Sequence, residues 1–219
     1  QIIEQELALW EKENLPQGSS LWNPQKERIL RALKAVLEQE IVRFQQSPQK
    51  LTPTAFEKRL NPPLTLRCGS ETIQMGGVID RIDVDPEEKK FLVIDYKTGS
   101  RVTSLHSFES GEALQLPLYV EAVRSQIFPD FKPIGAIFYR LHDLTRKEGF
   151  VKISDSEKYL CLDSRTQAAL PDEEWEEVLR KTKKTVEKII GQMKRGNFSQ
   201  QETKCDAYCE FKDICRCGI

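Results

Sequence analysis

Apolar residues recur at helical spacing through NPQKERILRALKAVLEQEIVRFQQSP (23–48), where Ile29, Leu33, Val36, Leu37, Ile41 and Phe44 fall on one stripe. Asn23 is placed to cap this helix, Pro24 suits its first position, and Ser47-Pro48 ends it. Residues 1–11 carry a weaker helical pattern and are joined to it by the loop LPQGSS. Between 64 and 99 the pattern changes to that of strands. LTLRC and ETIQMGGVIDRIDVD carry β-branched and alternating residues, DPEEKK turns the chain, and FLVIDYKTG returns as a buried strand. EALQLPLYVEAVRSQ (112–126) predicts a helix with Pro117 near its first turn. PIGAIFYRLHD (133–143) predicts a second buried strand, and GFVKIS a shorter one. A long helix from about Asp172 to Lys194 leads into a cysteine-rich tail. Strands embraced by helices make the fold α/β or α+β.

The chain has 219 residues, enough for one sizeable core. With 39% hydrophobic and 31% charged residues it reads as a folded domain rather than a disordered one. The pattern divides it into a helical segment (1–49), a core with flanking helices (50–200) and a cysteine-rich tail (201–219), together one compact domain. It opens on charged QIIEQELALWEKEN without an initiator Met, so an excised part of a longer chain is expected. No apolar run approaches the roughly 20 residues that span a bilayer, and no signal peptide is visible; a cytoplasmic protein with no membrane partner is expected. Net charge is −1, but charge is segregated: PDEEWEE (171–177) is acidic and RKTKKTVEKIIGQMKRG (180–196) basic. The basic stretch suits either a phosphate-binding face or a solvated helix of mixed charge.

Candidate chemistry sits in the two central strands. Asp80, Asp83, Asp85 and Asp95 are the available carboxylates. In a strand Asp95 and Lys97 project to one side while Tyr96 points away. A hairpin turning at 85–90 brings the region of Asp80 opposite that of Asp95. Two carboxylates beside one ammonium make a hard-oxygen site suited to Mg²⁺ or Mn²⁺, with Lys97 able to orient a water and steady a phosphorane-like transition state. Asp95-x-Lys97 alone also suits an ordinary strand-end ion pair. Asp80 weighs against that reading, because it interrupts the apolar run Val78-Ile79-Asp80-Arg81-Ile82 and a buried carboxylate needs a partner. Gln115 and Tyr119 then follow at i, i+4 on one helix face, suited to binding a phosphate or orienting Lys97.

GGVIDRIDV, VIDYKTG and LQLPLY, in that order, resemble the signature of the PD-(D/E)xK nuclease superfamily in its RecB/AddB branch. The resemblance implies a restriction-endonuclease-like fold, a mixed central sheet flanked by helices. It assigns metal carboxylates to Asp80 and Asp95, the catalytic lysine to Lys97 and the helical Q-x-x-x-Y pair to Gln115 and Tyr119. It also implies that the Tyr96 main-chain carbonyl touches the metal. Glu57 in PTAFEKRL matches a glutamate that precedes the G-x-x-D strand in this branch and supports the site there; a surface-helix charge is the alternative. YRLHDLTRKEG and IIGQMKRGNF extend the likeness, which covers most of residues 50–216. The branch usually adds a metal-binding histidine on an upstream helix. Only His106 and His142 exist, both expected in loops, so that ligand is expected before residue 1.

Four of the six cysteines crowd into the last fifteen residues, which favours metal or cluster ligation over a disulfide framework. The resemblance implies that Cys205, Cys209 and Cys215 hold a [4Fe–4S] cluster that staples the tail across the nuclease fold, with the fourth cysteine far upstream. Here the first interval is three residues rather than two, and Cys217 is a local alternative. Zinc is the second reading. Cys68 and Cys161 read as small buried hydrophobes. The expected function is a Mg²⁺- or Mn²⁺-dependent DNA exonuclease acting on ends, single-stranded, in recombinational repair. The 219 residues hold no G-x-x-x-x-G-K-[S/T] loop, so a helicase motor is expected elsewhere in the parent chain or in a partner subunit. The alternatives are a non-catalytic DNA-binding scaffold with a nuclease fold, a restriction-type endonuclease and a CRISPR-adaptation nuclease.

Overall fold

The computed structural model of the chain describes residues 2–14, 22–68, 71–99, 104–141, 143–161 and 168–198. Two helices, α1 (Ile2–Asn14) and α2 (Trp22–Gln46), precede β1 (Thr52–Arg59) and a hairpin of β2 (Leu64–Cys68) and β3 (Glu71–Met75). A second hairpin follows, β4 (Val78–Asp85) and β5 (Lys90–Lys97), then α3 (Leu105–Ser110), α4 (Gln115–Ala122) and a π-helical turn at Val123–Ile127. The chain continues through β6 (Lys132–Arg140), β7 (Thr145–Lys152), α5 (Ile153–Leu160), β8 (Ala169–Leu170) and α6 (Asp172–Lys194).

Among the described residues the strands make a six-stranded sheet in the order β1-β4-β5-β6-β7-β8, with β2–β3 standing apart. The β5–β6 and β7–β8 pairs are parallel; β1–β4, β4–β5 and β6–β7 are antiparallel. The mixed sheet flanked by helices that the resemblance implies is present. Reaching a parallel neighbour requires a crossover, and the α3–α4 segment supplies it between β5 and β6.

Alternation along each strand divides the core in two. Phe91 and Val93 of β5 join Ile82 and Val84 of β4, Phe138 of β6, and Phe108, Leu116, Val120, Trp175 and Val186 of α3, α4 and α6. This is the front of the sheet. Leu92 and Ile94 point the other way, to Ile137, Tyr139, Val151 and Tyr159, with Val36 of α2 against them. This is the back. β6 and β7 approach so closely that a Cβ at Gly149, where φ is +129°, would lie 2.2 Å from the Ala136 carbonyl oxygen.

Several details depart from the sequence pattern. The long helix starts at Trp22, so Asn23 lies inside it rather than at its cap. None of its stripe is fully buried: Leu37, Ile41 and Phe44 are all more than half exposed. Instead Glu40 and Arg43, polar in sequence, face the sheet. Residues 53–60 form most of an edge strand rather than a surface helix. α3 and α5 were not legible, being short, and Ile153-Ser154 open α5 instead of ending a strand. Among the described residues no helix is long and apolar enough to cross a membrane.

Gly149→Ala is expected to cost about 3 kcal/mol, because strain at a positive φ and a backbone clash coincide there. Chemical denaturation checks this: the midpoint should fall while the slope stays unchanged.

Candidate active site

The β4–β5 register pairs Arg81 with Ile94, and one step further sets Asp80 across from Asp95. Both carboxylates belong to the front face, since Asp80 shares its parity with Ile82 and Val84, and Asp95 with Phe91 and Val93. The Tyr96 N–H donates to Asp80 Oδ2 at 2.8 Å, tying the first carboxylate to the neighbouring strand. Asp95 is only 1% exposed. Its Oδ2 lies 2.5 Å from Lys97 Nζ, an ion pair in which no well-directed hydrogen bond reaches that oxygen.

Lys97 connects this pair to α4. Its ammonium donates to Gln115 Oε1 at 3.0 Å, and Gln115 Nε2 donates in turn to the Tyr119 hydroxyl at 3.4 Å. The Tyr119 ring lies against Gly77, where an added Cβ would stand 3.0 Å from its Cε1. Glycine at 77 is what lets the ring pass this close. The Gly77 carbonyl, accepting from the Leu60 N–H at 2.9 Å, anchors the junction from the other side. The predicted positions Gly77, Asp80, Asp95, Lys97, Gln115 and Tyr119 therefore form one connected cluster. Phe138, which sequence reasoning did not single out, underlies Lys97 with its ring 5.1 Å from the ammonium. Its sequence signal was only that of an aromatic residue on a buried strand; the pairing of β6 with β5 is what brings it to the site.

Burial pushes the Asp95 carboxyl above the usual aspartate range. The Lys97 ammonium pulls the other way, and the nearby Asp80 charge adds to the rise. A buried carboxylate oxygen without an aligned donor, facing a second carboxylate, is a donor set that suits a small divalent cation. Mg²⁺ is commonly held by one or two carboxylates with water completing its shell. Asp80 and Asp95 fit that role. Among the described residues no group of three or more His, Cys, Asp and Glu side chains could hold a metal.

Other candidates are placed elsewhere. Asp83 and Asp85 point to the back: Asp83 takes both arms of Arg81 at 2.6 Å, and Asp85 accepts from the Tyr159 hydroxyl at 2.9 Å. Glu57 lies on β1 between Phe56, paired with Arg81, and Lys58, paired with Ile79, which sets it opposite Asp80. It is exposed, has φ +45°, and joins no acidic group of three. The Tyr96 side chain points to the back, as alternation requires. His106 sits exposed on α3 rather than in a loop, and His142 lies outside the described residues. Cys161 is exposed, not buried, and its Sγ lies 3.4 Å from Ser47 Oγ; the Cys68 side chain is not among those described. Cys205, Cys209, Cys215 and Cys217 lie outside the described residues. On basic α6, Arg180 pairs with Glu177 and Lys181 with Glu109, while Lys183, Lys184 and Lys188 are exposed.

An aspartate whose folded pKa is raised costs stability once ionised, and that cost vanishes below its unfolded pKa of about 3.9. Asp95→Asn is therefore expected to stabilise the fold by roughly 1 kcal/mol at neutral pH. The gain should fade as pH falls through the raised Asp95 pKa. Thermal unfolding across pH, without divalent metal, checks both the sign and the window.

A family model of the PD-(D/E)XK nuclease superfamily matches residues 1–216. The chain is also similar to one subunit of the ATP-dependent helicase/deoxyribonuclease from several bacteria. With that of Caldanaerobacter subterraneus subsp. tengcongensis it is 25% identical over 211 residues, covering 73% of this chain and 18% of that protein. With the same subunit from Alkaliphilus oremlandii it is 25% identical over 206 residues, 71% of this chain and 18% of that protein. With that of a Thermoanaerobacter species it is 30% identical over 122 residues, 53% and 11% of the two. The chain thus spans less than a fifth of the length of these curated relatives. With a family match over almost its whole length and the motif positions gathered in one cluster, the chain belongs to the PD-(D/E)XK nuclease superfamily.

Proposed function

We propose that the chain is a metal-dependent DNA exonuclease domain that hydrolyses phosphodiester bonds at DNA ends in recombinational repair. The observation that carries this reading is the front-face cluster, in which a buried Asp95 and its neighbour Asp80 share an edge with an oriented, part-exposed Lys97. The relatives' names support a helicase subunit or helicase domain of the parent protein as partner; delivery of single-stranded DNA to the site is part of the proposal.

Asp80 and Asp95 would hold Mg²⁺ or Mn²⁺, which would supply Lewis acidity towards a phosphoryl oxygen. The residues do the positioning. Gln115 holds Lys97 Nζ in place from α4, and Tyr119 holds Gln115. The ammonium lies at the solvent edge, where the N–H left over from Asp95 and Gln115 donates to a non-bridging phosphoryl oxygen while the attacking water loses its proton to solvent. Its charge then offsets the negative charge that gathers as the phosphorane forms. The Tyr96 carbonyl is assigned to the metal and Glu57 to support from the neighbouring strand, both on resemblance. Lys183, Lys184 and Lys188 of α6 are the exposed cations available to the incoming phosphates. The tail thiols of Cys205, Cys209 and Cys215, with Cys217 or an upstream cysteine, suit a [4Fe–4S] staple, with zinc as the second choice.

The ion pair that Asp95 already makes with Lys97 supports, as a second reading, a non-catalytic DNA-binding module whose charges serve the fold. Mn²⁺-dependent degradation of linear single-stranded DNA separates the two. Lys97→Ala is expected to lower the rate about 1000-fold, as loss of a transition-state donor does. Gln115→Ala, which removes only the support of Lys97, should cost about tenfold. A chain extended upstream that still leaves linear DNA intact would sink the enzyme reading. Cutting of a closed circle would replace the exonuclease with an endonuclease.

A further inference from the structure

Directly behind the two carboxylates, on the opposite face of the sheet, lies a polar chain centred on the buried Arg81 that the hydrolytic chemistry does not use. The residue after Asp80 is Arg81 and the residue after Asp95 is Tyr96; alternation turns both to the back. There Arg81 Nη1 donates to the Tyr96 hydroxyl at 3.1 Å and to Glu40 Oε2 of α2 at 2.7 Å. Its Nε and Nη2 both engage Asp83 at 2.6 Å. The guanidinium is 8% exposed at its side chain. Burial works against its charge, yet the bonds from Asp83 and Tyr96 hold it firmly protonated. The Tyr96 ring is packed on Tyr139, 5.7 Å between centroids. The same residue's N–H holds Asp80 Oδ2 on the front.

We propose that the half-buried chain Glu40–Arg81–Tyr96 positions the Asp80 and Asp95 carboxylates, so that this polar link to α2, and not the apolar seat of the helix, sets how tightly the front holds a divalent cation. Asp80 is oriented by one backbone donor, and the residue that supplies it is held from behind through its hydroxyl. Arg81 bridges β4 and β5 next to the position where the two carboxylates face each other, and Glu40 connects that bridge to α2 from 41 residues upstream. Second contacts of this kind commonly change metal affinity by about 10–100-fold when removed. Glu40 and Tyr96 are positioning residues, since neither side chain reaches the front.

The inference rests on the metal-dependent reading above, and its test reads metal binding without DNA. Mn²⁺ is titrated calorimetrically into the whole chain, alongside thermal unfolding in chelator. Tyr96→Phe and Glu40→Ala are expected to weaken Mn²⁺ binding about tenfold, while Glu40→Gln, whose amide oxygen still accepts from Arg81, stays within about twofold. Val36→Ala serves as the control, because it loosens the apolar seat of α2 without touching the polar chain. It should lower the melting temperature and leave Mn²⁺ affinity unchanged. Wild-type affinity in Tyr96→Phe and Glu40→Ala would overturn the proposal. So would an equal loss in Val36→Ala, or a wild-type chain that binds no Mn²⁺. Mn²⁺ binding that disappears in Asp80→Asn but accompanies no DNA cleavage removes the nuclease reading alone and leaves the positioning role standing.

Discussion

A carboxylate buried at the end of an apolar strand is the constraint around which this molecule is arranged. Asp95 follows Phe91, Leu92, Val93 and Ile94, all inaccessible to solvent, and is itself almost fully enclosed. Transfer of an unpaired charge to such a place is costly, so something must meet it. Lys97 does so from two residues along the same strand, where alternation returns it to the same face. Lys97 is then held by Gln115, Gln115 by Tyr119, and Tyr119 packs tightly against Gly77. The crossover through α4 is thus part of the site as well as the route between two parallel strands.

The two faces of the β4–β5 hairpin treat their charges differently. On the back, Arg81 is surrounded by acceptors from Asp83, Glu40 and Tyr96, and Asp85 is satisfied by a turn and by the Tyr159 hydroxyl. Such closed networks fix geometry because every donor has a place to go. On the front, Asp95 Oδ2 has only an imperfect partner, and the neighbouring Asp80 charge raises its cost of ionisation. A folded protein that keeps this arrangement gives up stability at the place where charge must be available to a ligand. The same hairpin therefore carries a satisfied support and an unsatisfied site, separated by the thickness of one strand.

Much of this was legible in the chain. Period-two alternation identified the strands, and the short polar turn at 85–90 implied a hairpin that brings Asp80 to Asp95. The i, i+4 spacing of Gln115 and Tyr119 put them on one helix face. What composition did not settle was the place of Asp83 and Asp85, which the structure turns to the back of the sheet. Asp80, Asp83, Asp85 and Asp95 look alike in composition, and only the register and the face separate them. The apolar stripe of α2 shows a related limit. Apolar spacing predicts a face, but not what the face meets, and here Glu40 and Arg43 make the contacts that count. Residues 53–60, short and mixed, carried no period strong enough to exclude a helix, and pairing with β4 decided them.

By itself the sequence determined the residue types of the site, their order, and the side of the strand or helix each must occupy, because those follow from local periodicity. It also determined that Asp80 and Asp95 would be expensive to bury, since both interrupt apolar runs. The tertiary structure alone decided that Lys97 reaches Gln115 across the crossover and that Tyr119 seats on Gly77. It alone decided that Arg81, Tyr96 and Glu40 meet behind the carboxylates. Those contacts join residues 15, 18, 41 and 42 positions apart. Local spacing carries no information on such distances; they exist only where the sheet and its helices bury one another.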